Sequence, residues 1–184
     1  MINIPNYNGP KRFIQKRIAA GHQAAVYRLS DDLAVKFMTE GLGPFRRILN
    51  DDAVIHELNA GCEVAEELYN RGISVPKPFG VFRVQVRITS LRYMQSIYDP
   101  RRFPGMIMEY IDGVFIEKAP KEKRKHLIEL AELEVSKAII AGLRDLNKDY
   151  NLNKNVLCVL GKGNEPDKVY LTGLNYLLSD AFRK

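Results

Sequence analysis

With 184 residues, 46% hydrophobic side chains and a net charge of +6, the chain can build the core of one ordinary domain or of two small lobes. Its apolar runs are far short of a membrane span, and Met1-Ile2-Asn3-Ile4-Pro5-Asn6-Tyr7 lacks the pattern of a secretory leader, so a cytoplasmic protein without a membrane partner is expected. Cys62 and Cys158 make no disulfide framework, three scattered histidines add no zinc spacing, and both thiols are expected as small core residues.

Residues 1–12 read as an irregular arm, interrupted by Pro5, Asn8-Gly9 and Pro10. From Phe13 the pattern predicts a strand, a tight turn at Ala20-Gly21-His22-Gln23 and a returning strand that ends at Leu29. Ser30-Asp31-Asp32 turns the chain into a third antiparallel strand, Leu33-Ala34-Val35-Lys36-Phe37-Met38. Glu40-Gly41-Leu42-Gly43-Pro44 breaks the sheet. Asp51-Asp52 then caps a helix that runs to about Asn70, with Gly72 as its stop. Val54, Ile55, Leu58, Cys62, Ala65 and Tyr69 recur along it at helical spacing.

Val75-Pro76-Lys77-Pro78 forces extended chain, and Val81 to Ile88 alternates apolar residues with Arg83, Gln85 and Arg87 as a half-exposed strand. Residues 89–104 are expected as a loop and Gly105 to Tyr110 as a buried strand. After Asp112-Gly113 the period changes. Glu122 to about Leu146 reads as a long helix with Leu127, Leu130, Ala131, Leu133, Ala138, Ile139 and Leu143 on one face. Residues 156–160 and 168–172 form a strand pair joined by the turn Gly161 to Pro166, and Tyr176 to Phe182 adds one short helix. The fold class expected is α+β, with a five-stranded antiparallel sheet plus helix in residues 1–111 and a reduced, mainly helical lobe in residues 112–184.

Lys36 is the residue that asks for a chemical explanation. A lysine between Val35 and Phe37 is expensive to bury without a partner. The following helix offers Glu57, Glu63, Glu66 and Glu67. One and two turns beyond Glu57 stand Ala60, Gly61, Val64 and Ala65, an inward face, whereas Glu63 meets Glu66, Glu67 and Asn70. Glu57 is therefore the expected partner, with Glu63 as the second choice. Upstream, Gly21 and Ala24 allow a backbone to approach phosphates closely, and Val26 returns as an apolar cover over a base. Downstream, Met108 would wall a pocket whose edge exposes main-chain groups of Glu109 and Ile111 to an adenine. Basic clusters at Lys11-Arg12, Lys16-Arg17, Arg101-Arg102 and Lys121 to Lys125 admit a phosphate-bearing partner, RNA among them.

The order of these pieces resembles the protein-kinase fold, most closely its RIO-type atypical members. Gly21-His22-Gln23-Ala24-Ala25-Val26-Tyr27 is similar to their degenerate glycine-rich loop, and Ala34-Val35-Lys36 to the strand bearing the phosphate-binding lysine. Leu68 to Pro78 resembles the segment after the acidic helix, and Met108-Glu109-Tyr110 resembles hinge sequence. The likeness covers roughly residues 13–113. It implies an ATP-binding, two-lobed protein with Ala34, Lys36 and Glu57 around the nucleotide.

The remainder departs from that pattern. A kinase needs an Asp to accept the hydroxyl proton, an Asn for metal later in the same loop, and a further Asp for magnesium. Asn155-Val156-Leu157 fits the metal-binding Asn, but the proton-accepting position falls on Tyr150, with Asp149 one residue away and Asp145 as the alternative. The magnesium-chelating position falls on Gly173. Three readings follow. The first is a pseudokinase that binds ATP and serves a protein partner. The second is an active serine/threonine kinase using Asp149 and Asn155 with Mg2+. The third is an unrelated α+β domain that binds protein or RNA.

Overall fold

The computed structural model describes residues 16–20, 24–40, 47–89, 96–141 and 151–172. Its chain divides into two compact units, one of residues 1–62 and 78–110, the other of residues 63–77 and 111–184. Both combine helix with antiparallel sheet, so the α+β class holds. Residues 63–77, read from the sequence as part of the first lobe, group with the second unit.

The first unit is built on β1 (Lys16–Ala20), β2 (Ala24–Arg28), β3 (Leu33–Glu40), β4 (Arg47–Ile48), β5 (Pro78–Thr89) and β6 (Ser96–Glu109). These form a six-stranded sheet in the order β1-β2-β3-β6-β5, with the short β4 paired to the outer end of β3, where five strands are expected. Strand β3 lies at the centre. Alternation sends Leu33, Val35 and Phe37 to one face, where they pack with Leu29, Val84, Phe103 and Ile107. Tyr27 meets Phe37 edge-on at 5.9 Å between ring centroids. A Cβ at Gly105 would stand 2.6 Å from Val35 and 2.8 Å from Phe37, so the close approach of β6 to β3 requires glycine there.

The loop expected at 89–104 is a correction. From Ser96 onward the chain is strand β6, paired with β5 from Thr89↔Ser96 to Pro78↔Met108. Proline cannot donate to a ladder, so Pro100 and Pro104 are tolerated in a strand only at an edge that lacks a neighbour. Strand β3 borders β6 only from Met106 to Glu109, so both prolines lie where one edge of β6 has no β3 neighbour.

Helix α1 (Asp52–Asn70) begins as the sequence predicts: Asp51 accepts a hydrogen bond from the Val54 N–H at 2.8 Å. It ends on Gly72 at φ 76°, with Gly72 N–H donating to the Tyr69 carbonyl and Ile73 N–H to that of Leu68. Its buried stripe is Val54, Leu58, Val64, Ala65 and Leu68, while Tyr69 is exposed. The first half of α1 belongs to the first unit and the second half to the other.

In the second unit, β7 (Val114–Phe115), β8 (Val156–Val159) and β9 (Lys168–Leu171) form a three-stranded sheet in that order. The expected strand pair is therefore joined by a third strand. A 3-10 turn (Ile116–Lys118) leads into α2 (Lys121–Ile140), and the short α3 (Leu152–Asn155) precedes β8. Helix α2 packs on β9 and buries Leu127, Ala131, Glu134 and Ala138. The apolar face expected for it is narrower than predicted: Leu133 and Ile139 are exposed, and Ile140 is 86% exposed. A glutamate occupies the buried stripe instead. Among the described residues no helix is long and apolar enough to cross a membrane.

Candidate functional site

The register of the first sheet gathers most of the sequence-derived candidates onto one face. Ala24 pairs with Met38, Val26 with Lys36, and Arg28 with Ala34. On the other side of β3, Lys36 pairs with Met106 and Ala34 with Met108. Directly opposed residues share a face, so Ala24, Val26, Ala34, Lys36 and Met108 lie together, joined by Arg28, Met38 and Met106. The opposite face is the closed core, with Ala25, Val35, Phe37 and Ile107 wholly inaccessible. The candidate face is half open: Val26, Arg28, Lys36 and Met108 keep partial exposure over the buried Ala34, Met38 and Met106.

Lys36 is half-buried at the centre of this apolar floor, between Val26 and Met106. Burial lowers its pKa from 10.5 to about 8, against the opposing pull of the Glu57 carboxylate. Glu57 is thus the helix acid whose charge bears on Lys36. The inward face expected for it is not what the fold builds. Its side chain is exposed at the margin of the buried α1 stripe, and Glu63 is exposed as well. A glutamate at that margin keeps its hydration while its field reaches the lysine.

Arg28 and Tyr110 were not singled out from the sequence. The Arg28 guanidinium lies 4.5 Å from the centroid of the Tyr110 ring, donates to Asp31 Oδ1 at 2.8 Å and donates through Nε to the Ser30 carbonyl at 3.1 Å. The Tyr110 N–H donates to the Asp32 carbonyl at 2.9 Å, which ties the end of β6 to the β2–β3 turn. The signal was the period of two: Arg28 stands two residues from Val26, and Met106 two from Met108.

Glu109 pairs with Leu33, a core-face position, so only its main chain suits the role expected of it. Ile111 belongs to the second unit, where it is buried, and its carbonyl accepts the Gly113 N–H at 3.0 Å. Gly21, Asp149 and Gly173 lie outside the described residues. Asn155 ends α3, and its carbonyl accepts both the N–H and the hydroxyl of Thr172 at 2.8 Å. That pair of bonds places Thr172, where the chain leaves β9, beside Asn155. Among the described residues no group of three or more His, Cys, Asp or Glu side chains is arranged to hold a metal ion.

No protein-family model and no curated protein matches the chain.

A separate concavity of about 180 Å³ in the second unit is lined by Ser74, Leu130, Glu134, Asp167, Lys168 and Tyr170. Its carboxylates are structurally committed. Glu134 accepts from the Ser74 N–H at 2.8 Å and from Lys137 at 2.5 Å, and the neighbouring Ser74 carbonyl accepts the Leu171 N–H at 2.8 Å. Burial pushes the Glu134 carboxyl up, but these two donors outweigh it and hold the group below the usual carboxylate value. Asp167 accepts from Lys123 at 2.9 Å and from the Gly161 N–H at 2.8 Å, and both hold its pKa down. Cys158 is buried as expected, its thiol pushed up to about 11 by burial and then by the Asp167 charge, while Cys62 is half-buried.

Proposed function

We propose that the half-open face around Lys36 binds the phosphates and base of a nucleotide, ATP by the kinase resemblance, and that phosphoryl transfer is impaired or absent. The observation that carries this reading is the register, which assembles Val26, Ala34, Lys36 and Met108 into one cationic, apolar-floored surface. A lysine with a pKa of about 8 is mostly protonated at neutral pH, so it can meet a phosphate, and its poor hydration strengthens that attraction. Val26, Ala34 and the methionines supply the flat apolar surface that a base covers. The RIO-type, two-lobed arrangement belongs to the same proposal, with a regulatory or partner-binding role in place of catalysis. The argument against transfer is the glycine at position 173, where the resemblance requires a magnesium-binding acid.

A thermal-shift titration with ATP tests this on the wild type and on Lys36→Met. Ligand at about a hundred times its Kd stabilises by about 2.7 kcal/mol. The expected result is a rise in Tm for the wild type, little changed by magnesium, and none for Lys36→Met. An equal rise in both proteins refutes the site. Magnesium-dependent ADP release that Asp149→Ala abolishes would replace the impaired reading with that of an active kinase.

A further inference from the structure

On the sheet face that carries Lys36, opposed residues fall into rows. Val26, Lys36 and Met106 form one row, and Arg28, Ala34 and Met108 form the next. Two residues at ~3.4 Å each set the rows about 7 Å apart, room for a ribose between a phosphate at Lys36 and a base over Ala34. This second row has an apolar floor in the buried Ala34 and the half-buried Met108. Its charged member is Arg28, whose side chain is 36% exposed.

Three contacts fix the Arg28 guanidinium. Nε donates to the Ser30 carbonyl at 3.1 Å, Nη2 donates to Asp31 Oδ1 at 2.8 Å, and the plane lies 4.5 Å from the centroid of the Tyr110 ring. The two hydrogen bonds occupy the Nε side of the fork. No hydrogen bond among the described residues engages its far edge, formed by Nη1 and the second N–H of Nη2. The Asp31 carboxylate offsets the arginine charge and repels a phosphate from it, so that edge suits a neutral group with two acceptors side by side.

We propose, resting on the nucleotide reading of this face, that Arg28 reads the base and that the site prefers a guanine nucleotide, with ATP bound there more weakly. Guanine presents O6 and N7 as adjacent acceptors, which an arginine fork meets with two parallel hydrogen bonds. Adenine sets the N6 amino donor beside N7, so one arm of the same fork faces a donor. Tyr110, Ser30 and Asp31 hold the fork in one orientation before the base arrives, which is what selection by geometry requires. A lysine at position 28 would keep the charge and lose the paired, coplanar donors.

Isothermal titration calorimetry of the full chain with GTP, ATP and inosine triphosphate, magnesium present throughout, tests the proposal. GTP should bind roughly fivefold or more tighter than ATP, the low end for a bidentate base contact, as suits a partly exposed arginine. Inosine triphosphate keeps O6 and N7 without the 2-amino group, so it should match GTP within about twofold. Arg28→Lys should bring the ratio of GTP to ATP affinity to about one, with circular dichroism to check its fold. ATP bound as tightly as GTP, inosine triphosphate behaving as ATP, or a preference that survives Arg28→Lys each overturns the role of Arg28 and leaves the nucleotide site standing. Should the variant unfold, 7-deazaguanosine triphosphate is read on the wild type: loss of the preference is expected, and its retention refutes the contact. Binding of none of these nucleotides overturns the site itself, and the base preference with it.

Discussion

Replacing Lys36 by methionine should make the free protein more stable. The two side chains are alike in length, so the change removes an ammonium from an apolar floor and leaves the packing against Val26 and Met106. Depression of the lysine pKa from 10.5 to about 8 corresponds to about 3 kcal/mol held against folding at neutral pH, at about 1.4 kcal/mol per unit. Partial exposure of the side chain discounts this to roughly 1–3 kcal/mol. At ~2–4 °C per kcal/mol for a chain of this size, Tm should rise by about 2 to 12 °C. Between pH 8 and 10.5 the folded wild type binds fewer protons at this site than the unfolded chain, so its stability climbs with pH across that window. The advantage of Lys36→Met is therefore full below pH 8 and gone above 10.5, where lysine is neutral in both states. Urea unfolding of both proteins at pH 7 and at pH 10.5 measures it. A variant less stable than wild type at pH 7, or a difference that does not shrink with pH, refutes the account. The same substitution removes ATP binding in the proposed function, so stability and binding should move in opposite directions.

Two further perturbations test the packing. Glu134→Gln should destabilise the second unit by about 1–3 kcal/mol by weakening the charged bonds to Ser74 and Lys137. Because the folded carboxyl sits below its ordinary value of 4.5, this contribution is present above pH 4.5 and is lost as pH falls further; a gap between wild type and variant that persists at pH 3 in urea titrations would contradict it. Thr39, 4% exposed, has a hydroxyl with no hydrogen-bond partner among the described residues. Thr39→Val should raise Tm by about 2–4 °C, since roughly 1 kcal/mol of unmet desolvation is removed, and a fall in Tm would show that the hydroxyl has a partner.

Much of the local structure was legible in the order of residues. Asp51 as a helix cap, Gly72 as its stop and Lys36 on an otherwise buried strand follow from chemistry that acts within a few residues, so chain order alone determines them. Tertiary structure decided which strands became neighbours. Insertion of β6 beside β3 brings Met106 and Met108 against Lys36 and Ala34, and pairing with β5 turned an expected loop into strand. It also decided the fate of charges. Glu57 stands at the margin of the α1 stripe, where periodicity had placed it inward, and Glu134 is buried because Ser74, 60 residues away, supplies the N–H it needs. Helical spacing tells which residues share a face, but only the partner across that face settles whether a carboxylate there is hydrated or hydrogen-bonded.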